Sequence, residues 1–347
     1  MSQNPNKPIY PFEPIGSPAT LAVALKTTES GLRRLARRAD KLYRLAKPIV
    51  KADGSVRQPY DAYPELKLVQ RRLKERILSK VIYPAYLTGS LKGRDYKTNA
   101  ELHIGSRFLI CEDITNFFPS ISSALVYDIW VGLFHFPPPV AELLTKLTTR
   151  CGVVPQGAIP SSYLANLALW RFEPDFQTAL AQEGIVYSRY VDDIAMSSKA
   201  FLSRPDQTKL IARLYGMLAK VGLKAKRKKH ESFSASKRMI TTKLVVNERV
   251  SLSDKQRANV RAAVHQLERL AQPGAPSQEF MQLLASASVR VGHLGRFHPA
   301  EGARLKAKLR TLRNGLPSQV SAGVPTSARE LNEGQAPSTA DEPPPWD

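Results

Sequence analysis

The sequence predicts an α+β fold in which helical, basic segments flank a mixed centre. Three observations predict it. Apolar residues recur at helical spacing toward both ends, as Leu32, Leu35, Ala39 and Leu42 in one run and Val260, Val264, Leu267 and Leu270 in another. Arg107 to Ile110 is a short apolar strand candidate leading into Cys111-Glu112-Asp113. Tyr187 to Met196 alternates in hydrophobicity around Asp192-Asp193, as a hairpin does.

Each element follows from local chemistry. Pro5, Pro8, Pro11 and Pro14 make the first 16 residues an extended arm. Ser17-Pro18 supplies an N-cap and a first helical position for a short helix through Leu25. Ser30 opens a second helix, with Arg33, Arg34, Arg37, Arg38, Lys41 and Arg44 around its apolar stripe. A third turns Leu66, Val69, Leu73 and Ile77 inward and Lys67, Arg71, Arg72, Lys74 and Arg76 outward. Such single-sign faces repel themselves unless an anion lies across them. Between these helices, Lys51 to Arg57 reads as a hairpin around Asp53-Gly54. Beyond the centre, Leu210, Leu214, Met217, Leu218 and Val221 mark a helix stopped by Gly222, and Ser253 with Gln256 forms a capping box. No internal repeat is present.

Composition narrows the function. The 347 residues carry 51 Lys and Arg against 30 Asp and Glu, a net charge of +21, and 43% are hydrophobic. That is enough apolar material for a packed core and argues against a disordered chain. The Pro/Ser/Ala-rich segment 317–347 has one basic and five acidic residues, a net −4, so residues 1–316 carry +25. This tail lacks hydrophobic periodicity and reads as disordered. No apolar run approaches about 18 residues, which excludes a spanning helix. The polar N-terminus has no signal-like stretch, and two cysteines, Cys111 and Cys151, make no disulfide scaffold, so a cytoplasmic location is expected. A strong positive charge on such a chain points to a polyanion, most simply nucleic acid.

The acidic residues at the centre are then the anomaly. Adjacent Asp192 and Asp193 at a hairpin tip concentrate negative charge, which is costly unless a cation sits there. If Asp113 comes from a neighbouring strand, these carboxylates can hold a pair of Mg²⁺ ions about 3.5–4 Å apart, hard cations that prefer oxygen ligands. A basic protein with such a site suits phosphoryl transfer.

The residues reach a recognisable pattern. Tyr190-Val191-Asp192-Asp193 resembles the catalytic signature of reverse transcriptases, specifically the bacterial retron type, and the likeness covers roughly residues 17–312. Asp113 with Phe117-Phe118-Pro119-Ser120-Ile121 is similar to the family's first catalytic motif. Val154-Pro155-Gln156-Gly157 through Ser162, with Asn166 beyond, matches the motif lining the nucleotide pocket, and Asn99-Ala100-Glu101-Leu102-His103 a segment used by retron enzymes. The resemblance implies a right-hand polymerase: arm 1–16, N-terminal helices and fingers 17–105, palm with an antiparallel sheet 106–250, helical thumb 251–316, and tail 317–347.

It also implies roles. Asp113, Asp192 and Asp193 would be the catalytic, metal-binding carboxylates for two Mg²⁺ ions, with Mn²⁺ as a substitute. Phe118 would be the aromatic gate that rejects a ribose 2′-hydroxyl. Gln156 and Gly157 would approach the incoming nucleotide, Gly157 because no Cβ obstructs the substrate. Lys51 and Arg57 would grip the triphosphate, with Arg94 a further candidate, and Lys229 would steady or protonate pyrophosphate. Asn99, His103, Arg261 and Arg296 would serve RNA binding, with Arg257 among the other thumb arginines. Gly292 to Pro299 resembles a turn between thumb helices. Two departures stand out: Lys226 and His230 replace the usual Asn and Thr, and Thr241-Thr242-Lys243 has Lys where retron enzymes carry Gly.

The function implied is an RNA-directed DNA polymerase. It would copy a cognate structured non-coding RNA into DNA (retron msDNA), starting from an RNA 2′-hydroxyl and using dNTPs. A defence role against phage with an effector protein partner is implied too, and no membrane association. The alternatives are another defence-associated bacterial reverse transcriptase, or an inactive RNA-binding scaffold.

Overall fold

The computed structural model describes residues 4, 6–50, 54, 56–271 and 278–314; Lys51 and the 317–347 tail lie outside the described residues. The chain divides into two units at Thr242/Lys243.

In the first unit the N-terminal arm is tied down. Asn4 donates to Asp175 and Thr178, Ile9 and Ile82 exchange backbone hydrogen bonds, and Tyr10 packs 4.8 Å from the Phe134 ring. Ser17 caps helix Pro18–Ala24 by accepting from the Thr20 amide. The next helix, Glu29–Arg38, starts earlier than expected: the Thr28 hydroxyl, not Ser30, caps it by accepting from the Gly31 amide. Helix Pro64–Arg76 buries Leu66, Val69 and Leu73, with Ile77 at its end, as the apolar spacing requires.

Several outward arginines and lysines are used by the fold itself. Arg72 donates to the carbonyls of Leu25 and Lys26, and Arg76 to Ala24, so both close the open C-terminal end of the first helix. Arg44 and Lys67 share Asp61, each at 2.7 Å. Helix-face repulsion is therefore relieved partly by backbone and carboxylates rather than wholly by a bound polyanion.

Short strands β1 (Tyr43–Leu45), β2 (Ile49–Val50), β3 (Val56–Arg57) and β4 (Tyr60–Ala62) pair antiparallel, β1 with β4 and β2 with β3. The expected Lys51–Arg57 hairpin is thus anchored by β2 and β3. The central sheet contains β5 (Phe108–Asp113), β6 (Val186–Tyr190), β7 (Asp193–Ser198) and β8 (Glu231–Ser234) in the order β6-β7-β5-β8, all antiparallel. Strand β5 is buried along nearly its whole length, so its Phe-Leu-Ile run reads as continuous rather than alternating.

Against this sheet sits His103, fully buried, each ring nitrogen 2.7 Å from a serine hydroxyl, Ser188 on β6 and Ser197 on β7. Asn99 is buried too: it accepts from Thr88 Oγ1 at 2.8 Å and lies 3.4 Å from Thr241 Oγ1. Neither side chain reaches the surface. This corrects the expectation of direct RNA contact, because desolvated groups already paired in the core brace the strands instead.

The second unit contains helices Asp254–Leu270, Gln278–Phe297 and Pro299–Asn314 around Val260, Val264, Leu267, Leu284, Val291 and Leu294. The Ser253–Gln256 capping box forms as expected. Gly292 to Phe297 is not a turn: helical hydrogen bonding runs through Phe297, and the break falls at His298-Pro299, where proline cannot continue the ladder. Arg257 and Arg261 are both held by Glu301, at 2.8 and 2.7 Å.

Among the described residues no helix is long and apolar enough to cross a membrane.

Two predictions follow from the backbone and the core. Lys243 has φ +63, a left-handed conformation in which glycine loses nothing; Lys243→Gly should stabilise the protein by about 1 kcal/mol in urea unfolding. Burial depresses the His103 pKa from 6.5 to about 4. The unfolded chain takes up that proton from about pH 6.5 downward, while the folded chain resists until about 4. Stability should therefore be complete above pH 6.5 and decline on acidification across that window, by up to about 3 kcal/mol. His103→Asn, less stable at pH 7, should lose less than the parent between pH 7 and 4.5.

Candidate active site

The register of the central sheet builds the site. Asp113, the last residue of β5, stands directly opposite Asp193, the first of β7. The Ile114 amide donates to the Asp192 carbonyl at 2.9 Å, which ties the hairpin tip to the strand end. Three carboxylate-bearing residues thus meet at one end of the two central strands. Asp113 is 9% exposed.

Like charges directly opposite on neighbouring strands are destabilising. The chain answers with a cation. The Thr115 amide donates to the Lys224 carbonyl and the Lys226 amide to the Asp113 carbonyl, at 2.8 and 2.7 Å, so the basic segment is zipped alongside the end of β5. A single 3₁₀ turn, Arg227–Lys229, then brings the Lys229 ammonium 2.5 Å from Asp113 Oδ2. Partial burial lowers the Lys229 pKa, but the hydrogen bond to Asp113 and the charges of Asp113, Asp193 and Asp192 outweigh it and leave it raised.

The neighbouring residues serve the other face. Successive side chains on a strand point to opposite sides, and Glu112 is buried beneath the sheet, accepting from His230 at 2.7 Å and Tyr215 at 3.1 Å. Lys229 and His230 therefore bind Asp113 and Glu112, one on each face. The unusual His230 has its role in this anchoring, a pairing that the sequence alone did not signal.

No cluster of three or more candidate ligand side chains is assembled at metal-binding distance among the described residues. The donor chemistry nevertheless suits a hard divalent cation: carboxylate oxygens, with an ammonium now held among their charges. Asp113, Asp192 and Asp193 are the residues that would hold it.

The remaining expected residues fall as follows. Phe118 lies on the short helix Phe117–Ser120, just after left-handed Asn116, and its ring is nearly buried, 6.0 Å from the Phe117 ring. Arg57 is half-buried in β3. Arg94, expected as a further triphosphate candidate, donates to the carbonyls of Tyr83, Pro84 and Leu87. Arg261 and Arg296 belong to the second unit, Arg261 on Glu301 and Arg296 with its guanidinium 5.8 Å from the Phe297 ring.

Gln156 and Gly157 meet an unexpected neighbour. The Tyr60 amide of β4 donates to the Gln156 carbonyl at 2.7 Å. Gly157 has φ +95, and a Cβ there would stand 2.8 Å from the Tyr60 carbonyl oxygen. The glycine is thus required by the chain's own backbone, where the expectation had assigned it to substrate clearance. No local motif announces this, because Tyr60 and Gly157 are nearly a hundred residues apart.

Known proteins similar to this chain are reverse transcriptases. Residues 49–266 match the family model described as reverse transcriptase (RNA-dependent DNA polymerase). The chain is 32% identical to the retron Se72 reverse transcriptase of Salmonella heidelberg, over 88% of this chain and 81% of that one. It is 30% identical to the retron Ec48 enzyme of Escherichia coli, over 90% and 79%, and 28% identical to the Ec86 enzyme of the same species, over 71% and 77%.

The Gly157 contact has a measurable consequence. Gly157→Ala combines a left-handed alanine with a backbone overlap and should destabilise the first unit by about 2–4 kcal/mol in urea unfolding. Gln156→Ala, which keeps the carbonyl that Tyr60 uses, should change stability far less.

Proposed function

The chain belongs to the retron-type reverse transcriptases, and from that premise we propose that Asp113, Asp192 and Asp193 form the site at which it copies a cognate structured RNA into DNA. The observation that carries this is the β5–β7 register, which sets Asp113 opposite Asp193 and next to the Asp192 turn. In this reading the central sheet is the palm, the N-terminal helices and β1–β4 contribute the fingers, and the helices from Asp254 onward form the thumb.

Two Mg²⁺ ions, replaceable by Mn²⁺, supply the Lewis acidity that this chemistry needs when bound. The protein's own residues do the rest. The carboxylates hold and orient the reacting centre. Phe118, held by its core contacts, closes the space where a 2′-hydroxyl would stand, so dNTPs are preferred over rNTPs. Lys51 and Arg57 take the triphosphate. Lys229, whose ammonium pairs with Asp113, steadies or protonates the departing pyrophosphate. Gln156 lines the nucleotide pocket, with Gly157 fixing its loop against β4. Arg261 and Arg296 meet backbone phosphates without reading sequence. Asn99 and His103 support RNA recognition indirectly, through the strands they brace.

Synthesis starts from a 2′-hydroxyl of the template RNA and yields branched RNA–DNA, in the cytoplasm, as one component of an anti-phage system with an effector protein. The retron reverse transcriptase relatives support the polymerase part of this reading.

On a primed RNA template, Asp192→Ala or Asp193→Ala should lower Mg²⁺-dependent dNTP incorporation by roughly a hundredfold to a thousandfold. RNA affinity should stay unchanged or tighten, because a carboxylate that repels phosphate is gone. A wild-type protein that incorporates no dNTP on such a template defeats the proposal. Sequencing the co-purifying nucleic acid tests the priming step: RNA-linked branched DNA is expected, and unlinked DNA overturns it.

A further inference from the structure

Behind the Asp192–Asp193 turn lies a buried cation that the chemistry above does not use. Arg189, on β6, is fully enclosed. Its guanidinium grips Glu173 at both ends, Nε to Oε1 at 2.6 Å and Nη2 to Oε2 at 2.8 Å. The remaining donors reach backbone carbonyls: Asn166 at 2.9 Å, Val191 at 3.1 Å and Ala165 at 3.3 Å. Tyr187 adds a third hydrogen bond to Glu173, at 2.6 Å.

The Val191 contact stands apart. Val191 precedes Asp192 and has φ +57, a left-handed conformation that is an outlier for a β-branched residue. Such a conformation persists only where the surroundings over-determine it. They do so from two sides. Arg189 holds the carbonyl of Val191. On the other side, Gly89 lies so near that a Cβ there would stand 2.5 Å from the Val191 amide nitrogen. Gly89 is itself fixed by Asn166, whose side-chain amide donates to its carbonyl at 2.8 Å. Thr88 and Tyr86 complete the frame through backbone hydrogen bonds with Arg189, at 3.0 and 2.9 Å.

A buried ion pair is weak evidence for stability, since well-packed apolar residues often do as well. What apolar residues cannot do is hold a carboxylate and three carbonyls at once, and a planar guanidinium with five fixed donors can. We propose that Arg189, locked on Glu173, is a positioning residue for the active site: with Gly89 it holds Val191 in the left-handed turn that aims Asp192 and Asp193. The inference rests on those aspartates being the reacting centre. Arg189 touches no substrate and acts only through the backbone of Val191.

The test uses the full chain and three variants. Arg189→Lys keeps the charge beside Glu173 but cannot serve Glu173 and Val191 together. Tyr187→Phe loosens the same buried cluster without touching Val191. Gly89→Ala leaves the ion pair intact and presses on the turn from the opposite side, which provides a second route if Arg189→Lys does not fold. Hydrogen exchange of the 187–196 segment, thermal stability and steady-state dNTP incorporation are measured for each. Arg189→Lys and Gly89→Ala should speed exchange at the turn and lower kcat on the order of tenfold to a hundredfold, with KM for primer–template unchanged. Tyr187→Phe should lose thermal stability and keep kcat. If Tyr187→Phe and Arg189→Lys lose kcat in proportion to stability, or if turn exchange is unchanged in Arg189→Lys and Gly89→Ala, the positioning role is overturned. Should the wild type incorporate no dNTP, the polymerase reading fails, and exchange at the turn still decides whether the clamp exists.

Discussion

The pairing of β5 with β7 brings negative charge together at the ends of the two central strands, and much of the surrounding architecture answers to that. A strand register cannot slip by one residue without turning every side chain to the other face. Asp113 opposite Asp193 is therefore fixed by the same apolar residues, Phe108, Leu109 and Ile110, that bury the strand. Charges gathered this way repel one another, and the chain compensates in three dimensions. Lys229 arrives from a segment zipped to the end of β5, Glu112 is turned to the opposite face with its own partners, and the hairpin tip is tied down through Ile114.

The same economy governs the positive charge. A net +21 on 347 residues suggests a surface given over to a polyanion. Part of it also serves the fold itself. Arg72 and Arg76 close a helix end, Arg94 binds three carbonyls, Arg189 is enclosed with Glu173, and Arg257 and Arg261 share Glu301. Guanidinium groups suit this work because a planar fork of donors can satisfy several acceptors at once.

Glycine and left-handed residues mark where backbones come close. Gly157 meets Tyr60, Gly89 meets Val191, and Lys243 adopts a conformation better suited to glycine. In each case the requirement comes from a segment distant in sequence or from a turn geometry that side-chain chemistry does not reveal. The glycine in Val-Pro-Gln-Gly was readable as important, while the reason for it was not.

The sequence by itself determined the α+β class, the helix starts at Ser17 and Ser253, and the hairpin around Asp192-Asp193. These rest on local signals: periodicity, capping chemistry and short motifs act over a few residues. It misplaced the start of the second helix and the break before Pro299, because cap and stop signals compete at neighbouring positions. It also sent Asn99, His103 and Arg94 outward. Only the tertiary structure decided that these side chains bond within the protein, that Lys229 and His230 divide between the two faces of β5, and that Arg189 stands behind the Asp192–Asp193 turn. Burial and pairing depend on which segments meet across a hundred residues or more, and a polar side chain has the same chemistry whether its partner is a phosphate in solution or a carbonyl in the core.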